Sequence, residues 1–278
     1  GGGGGSQPVT VSGAAAKGII KNGVVSVYRV TNGARGTLLG QGRTSATDGT
    51  YSVNVTGYSG PVIVEVTALG ASDDGYPSLM VCDIAGDDSC ATGVGFGDDY
   101  PLGDDFALKA VLPAVSSGQN VTANVTALTD LAASLAESTG VTADSVHIAN
   151  TQVANLFNLM GDITSLPVVD VTDTAALESA DAEAAKAALL SAALLAAAKA
   201  DGSSIEDATS SVATDFVTNN GQLIQNEVGS TTTTLAEILA QAESLVSSEL
   251  QDVDALDQIA TDIQTEQNAA ETAEPGST

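Results

Sequence analysis

The hydrophobic period of this chain changes once, at Thr126, and that change limits the fold more than any other feature. Before it, apolar residues alternate or run in short β-branched stretches between turn residues. Val9-Thr10-Val11, Thr50-Tyr51-Ser52-Val53-Asn54-Val55 and Pro61-Val62-Ile63-Val64-Glu65-Val66-Thr67 read as strands. An Asn22-Gly23 turn lies between the β-branched runs of Gly18 to Tyr28, and Asn32-Gly33 and Asp48-Gly49 mark two more turns. Leu108 to Leu112 and Val121 to Val125 are strands on either side of Ser117-Gly118. Strands this short, with turns at roughly 8–12-residue spacing, predict a β-sandwich.

After Thr126 the spacing becomes helical. Thr129-Asp130 precedes Leu131, Leu135 and Ala136. Thr142-Ala143-Asp144 caps a helix bearing Val146, Ala149, Val153, Leu156, Phe157 and Met160, and Leu166-Pro167 breaks the pattern. Ser179 to Ala200 reads as an Ala/Leu helix and Ser204 to Asn219 as another. Thr234 to about Ala270 reads as one long helix or two. The expected class is therefore α+β, an N-terminal antiparallel β-sandwich followed by an all-α helical domain. The expected segments are a Gly-rich tether (1–7), a sandwich (8–126) with an Asp-rich excursion (71–106), a helical domain (127–270) and a tail (271–278).

Charge follows the same division. The chain holds 35 acidic and 8 basic residues, a net −27. Residues 1–126 carry 6 basic and 11 acidic side chains (net −5), and residues 127–278 carry 2 and 24 (net −22). Such a balance excludes nucleic acid, whose phosphates need Lys and Arg, and excludes basic-patch binding to an anionic membrane. It leaves a solvated, self-repelling surface or divalent cation binding. Aromatics are only 3% of residues, with no Trp, which counts against sites that stack sugars or nucleobases.

Cys82 and Cys90 are the only cysteines, and their close spacing suggests a small disulfide loop in an oxidising compartment, against the alternative of two free thiols. They sit in the excursion, which also carries Asp73, Asp74, Asp87, Asp88, Asp98, Asp99, Asp104 and Asp105. Carboxylates on a Gly-rich loop suit Ca²⁺, although their order lacks the EF-hand pattern and Asp and Gly also simply form turns. No other cofactor is expected. His147, the lone histidine, has no Cys or second His to make a metal set and reads as a helix residue. No nucleophile elbow, Walker loop or dinucleotide fingerprint occurs, so an enzyme is not expected. The N-x-T sequons at Asn54, Asn120 and Asn124 read as strand residues. No apolar run reaches the ~18 residues of a membrane span, and Ala184 to Ala200, interrupted by Lys186 and Ser191, reads as a buried helix.

The first residues, Gly1-Gly2-Gly3-Gly4-Gly5-Ser6, without an initiator Met, read as a processed, flexible spacer. They are similar to the tether behind the acylated cysteine of a bacterial lipoprotein, or to the start of a secreted mature chain. Two longer resemblances agree. Gly18-Ile19-Ile20, Gly23-Val24-Val25-Ser26-Val27-Tyr28 and Thr47-Asp48-Gly49-Thr50-Tyr51-Ser52-Val53 resemble the carboxypeptidase-regulatory-like (transthyretin-like) β-sandwich module of bacterial surface proteins. In that family the Asp-Gly segment turns tightly into a core strand, and the module is structural or adhesive. Val125-Thr126-Ala127-Leu128-Thr129-Asp130-Leu131-Ala132, Ile148 to Phe157 and Leu166-Pro167-Val168 resemble the helical region of proteobacterial surface lipoproteins that pair it with this sandwich.

These resemblances imply an exported location at the cell surface, with contact to a membrane only through an N-terminal lipid anchor. The expected function is a structural subunit of an extracellular filament whose partner is a second copy of the chain. Gln7 to Ser12, on its glycine arm, would pair with a neighbour's exposed sheet edge. The competing expectation is a monomeric, lipid-anchored binding module that uses Ca²⁺ in the excursion.

Overall fold

The computed structural model describes residues 7–70, 74–200, 202–224 and 233–273. The fold is α+β. Its strands are β1 (Val9–Ala16), β2 (Ile20–Lys21), β3 (Val24–Thr31), β4 (Ala34–Arg43), β5 (Thr50–Val55), β6 (Gly60–Thr67), β7 (Leu79–Val81), β8 (Asp99–Pro101), β9 (Ala107–Val115), β10 (Asn120–Thr122) and β11 (Val125–Thr126). Its helices are α1 (Ala127–Thr139), α2 (Ala143–Leu156), α3 (Thr174–Ser179), α4 (Ala182–Ala198), α5 (Ile205–Thr218), α6 (Leu235–Ser248) and α7 (Asp257–Ala273), with a 3-10 turn at Asp254–Leu256.

Three sheets form. One has the order β4-β3-β6-β9 and is antiparallel throughout. In the second, β1 pairs antiparallel with β5 and parallel with β10 and β11. The third is a small antiparallel sheet, β2-β7-β8. Strand alternation gives the four-stranded β4-β3-β6-β9 sheet two apolar faces. Val25, Val27, Val62, Val64, Val66, Leu108 and Ala110 share a core with Val9, Val11, Val53 and Val55 of the β1 sheet. Ile63 and Val111, on the opposite face, belong to the core of the helices. This sheet is thus the middle layer, and α1 and α2 pack on its strand β9.

The helices are started by local chemistry. Thr126, Thr142 and Thr234 are N-caps of α1, α2 and α6, each in a reciprocal capping box with the residue three positions on. At α1, Thr129 N donates to Thr126 Oγ1 at 3.3 Å and Thr126 N donates to Thr129 Oγ1 at 2.8 Å. The sheet therefore passes into the helical segment without a linker. α4 is buried along most of its length, including Ala184, Ala185, Leu189, Leu190, Ala193 and Leu194, and it contacts α1, α5 and α6. Its small side chains permit that close approach on several sides. Leu195, Ile205 and Ala208 join the strand core, so the two cores meet at the C-terminal end of α4 and the start of α5.

Four expectations change. The sheets are not antiparallel throughout, because the Ser116–Gln119 turn carries the chain from one sheet to another instead of folding it back as a hairpin. The Asn22-Gly23 turn does not make a hairpin either. Of the pair only Asn22 has positive φ, at 56°, whereas the type I′ hairpin turn that Asn-Gly favours needs two such residues. Gly23 N donates instead to Thr44 Oγ1 at 2.7 Å, and β2 pairs with β7. Asn32 (φ 52°) and Gly33 (φ 79°) do form that turn, between β3 and β4. The excursion contributes β7 and β8. Finally, the helix expected from Ser179 to Ala200 is divided into the end of α3 and α4. Of the two readings of Thr234 to about Ala270, one long helix or two, the structure has two.

Candidate functional site

The Asp-rich excursion is built around its cysteines. Cys82 and Cys90 are disulfide-bonded with Cα atoms 6.1 Å apart, and both are buried. The loop they close also uses Asp88 Oδ1, which accepts from Gly93 N at 2.6 Å, and Ser89 Oγ, which donates to Ile84 O at 2.5 Å. Among the described residues, no helix is long and apolar enough to cross a membrane.

The eight aspartates expected to hold Ca²⁺ do not form one cluster. Asp73 lies outside the described residues. Asp74 pairs with Arg43 and accepts from Tyr76 N at 2.9 Å. Asp98 Oδ2 accepts from Gly95 N at 3.0 Å, and Asp99 pairs with Lys21 at 3.0 Å. Asp87, Asp104 and Asp105 are exposed. Among the described residues, no three His, Cys, Asp or Glu side chains come together as a metal-ligand group. His147 is exposed at the rim of a cavity of about 170 Å³ that it shares with Asn150 and Asp162.

One member of the set, Asp105, lines a cleft rich in polar side chains. The cleft has a volume of about 370 Å³ and lies between β9, α1 and α5. Two buried carboxyls lie on it. Asp130 comes from the first turn of α1 and accepts from Lys109 N at 3.0 Å. Burial pushes its carboxyl up to about 7, against the opposing pull of Lys109. Glu206 comes from the first turn of α5, where an acid suits the helix N-terminus. Its Oε1 accepts from Gly103 N at 2.7 Å and its Oε2 from Tyr100 OH at 2.9 Å. Burial, joined by Glu206, pushes the Tyr100 phenol up to about 12. Ser134, Ser210 and Thr214 complete a hydroxyl-rich wall. This arrangement can accept a cationic or hydrogen-bond-donating group and can hold a proton near neutral pH.

A second buried constellation is ionic. Lys17, directly after β1, is 0% exposed, and its partner Asp83 is 3% exposed. Lys17 Nζ lies 3.3 Å from Oδ1 and 3.2 Å from Oδ2 of Asp83, and Gly18 N donates to Oδ2 at 2.8 Å. Sequence reasoning singled out neither this pair nor Asp130. One signal was present: Lys17 is one of only eight basic residues and interrupts the apolar run Ala14-Ala15-Ala16-Lys17-Gly18-Ile19-Ile20.

No family model matches the chain, and no curated protein and no solved structure matches it either.

Proposed function

We propose that the chain is a structural subunit of an extracellular, cell-surface protein filament, in which the N-terminal segment of one subunit docks on the next. The observation that carries this reading is the place of β1. It is the first strand among the described residues, it lies in the middle of its sheet, and β5 and β10 bond it on opposite sides. Val9 and Val11 point into the core. A strand with both edges satisfied in its own chain defines a slot that an identical strand from a neighbour fits equally well. Exchange of this arm from each subunit to the next is a head-to-tail contact, which propagates as a fibre. A chain of net −27 repels its copies, and such a contact overcomes this with backbone pairing and buried valine.

The resemblance to surface-lipoprotein modules supports the same location, and the Cys82–Cys90 disulfide suits an oxidising compartment. The test removes Gly1 to Ser12 and supplies a synthetic peptide of residues 7–16. The truncated protein is expected to stay monomeric and to bind the peptide. Fibres formed by the truncated protein would refute strand exchange.

The cleft at Asp105, Asp130 and Glu206 favours a second reading, a monomeric, lipid-anchored surface binding module that takes a cationic or hydrogen-bond-donating ligand. Full-length protein that stays monomeric at high concentration and in added Ca²⁺ would favour it over the filament.

A further inference from the structure

Most ion pairs of this protein lie near water, but Lys17–Asp83 does not. Its amine and carboxyl are held in contact inside the protein by backbone on both sides. A Cβ on Gly18 would stand 2.2 Å from Val81 O, so the chain after β1 lies directly against the end of β7. Val81 N also donates to Ile19 O at 2.9 Å. Lys17 Nζ is nearly equidistant from the two carboxyl oxygens. Two reactants fixed in this way react as if at very high concentration, with effective molarities on the order of 10⁵ M or more for well-oriented pairs.

We propose that Lys17 and Asp83 are joined by an isopeptide bond, formed between Nζ and Cγ with release of one water. Attack needs the neutral amine, and dry surroundings favour that form of Lys17, since charge is costly to hold away from water. Burial lowers the Lys17 pKa, and the nearby Asp83 only partly opposes this. A proton passes from the ammonium to the carboxylate, and the free amine attacks Cγ. The negative oxygen of the adduct is met by the Gly18 N–H, which already donates to Oδ2. A proton from nitrogen moves to the departing hydroxyl, the C–O bond breaks, and water leaves the new amide. No electrons are gained or lost, and no co-reactant is needed.

The released water has a place to go. Asp83 and Gly18 line a narrow cavity of about 30 Å³, room enough for a water. Ser191 lines the same cavity, and its buried hydroxyl has no hydrogen-bond partner among the described residues. The inference rests on this geometry and not on the assembly reading. Were both correct, the bond would fix the root of the exchanged arm, since residues 9–16 precede Lys17.

The experiment is intact-mass measurement of the full chain after reduction and unfolding, followed by tryptic mapping. The expected mass is that of the sequence with both cysteines reduced, less one water. Trypsin should no longer cleave after Lys17, and the peptide running through Lys17 to Lys21 should appear linked to residues 44–109, which contain Asp83. A full sequence mass with cleavage after Lys17 would overturn the inference. So would a water loss that maps to Asp48-Gly49 or Asp74-Gly75, where an aspartate can cyclise on the following glycine nitrogen.

Discussion

The strand segment and the helical segment handle charge in opposite ways. Four ion pairs lie wholly within residues 1–126, along with the disulfide, while a fifth, Lys109–Glu137, reaches across to α1. The helical segment carries only two basic residues for a net charge of −22, and Lys186 pairs with Glu266. It depends instead on close packing of Ala and Leu about α4. The strand segment is therefore cross-linked and nearly balanced in charge, whereas the helical segment is held by shape and works against self-repulsion.

Four measurements test this contrast. The largest effect belongs to the helical core. Leu190→Ala, at a fully buried position of α4, should lower stability by up to about 5 kcal/mol in denaturant unfolding. A loss below about 1 kcal/mol would mean that the bundle can collapse around the cavity, and would break the argument from shape.

Next comes the buried acid at the boundary. Folded Asp130 keeps its proton up to about pH 7, while its unfolded value is near 3.8. Its contribution to stability is fully present below the unfolded value and is lost as pH rises from about 4 through 7. The span is about 4 kcal/mol, from 1.36 kcal/mol per pH unit. Asp130→Asn should flatten the stability profile across that window, and thermal melts from pH 4 to 8 would show it.

The disulfide should contribute about 2–3 kcal/mol, from closure of a short loop. The double variant Cys82→Ser/Cys90→Ser should lose that amount, with increased hydrogen exchange confined to the excursion. Exchange that spreads into α4 or α6 would show that the two segments are coupled more tightly than their charges suggest. The smallest effect is at the surface. Arg35→Ala removes a part-exposed pair with Glu65 and a ring contact with Tyr28, and should cost less than about 1 kcal/mol.

Legibility in the sequence also divides along this line. Helix starts were readable because capping is local: Thr142 and Ser204 stand where the pattern placed them. Val53 and Val55 were readable as core because alternation is local. β4 was missed because Gly36, Gly40 and Gly42 replace the branched residues that mark a strand. Glycine serves there because β4 lies close to other chain: a Cβ on Gly40 would stand 2.5 Å from Asn54 O. The break between α3 and α4 was hidden by alanine, which continues through it. In the candidate cleft, Asp105 was among the named aspartates, but Asp130 and Glu206 were not. Their burial depends on how α1 and α5 meet β9, which no local pattern records. The same holds for Lys17, whose partner lies 66 positions away.

The parallel pairing of β1 has a consequence for the order of events during synthesis. β1 leaves the ribosome well before its partners β10 and β11, which lie more than a hundred residues downstream. Its antiparallel pairing with β5 can form earlier, leaving the other edge open until residue 126 has emerged. Contacts so distant in sequence are slow to close. A nascent chain of this protein therefore carries one unsatisfied strand edge while more than a hundred further residues are made, and β1 is enclosed on both sides long after it is synthesised.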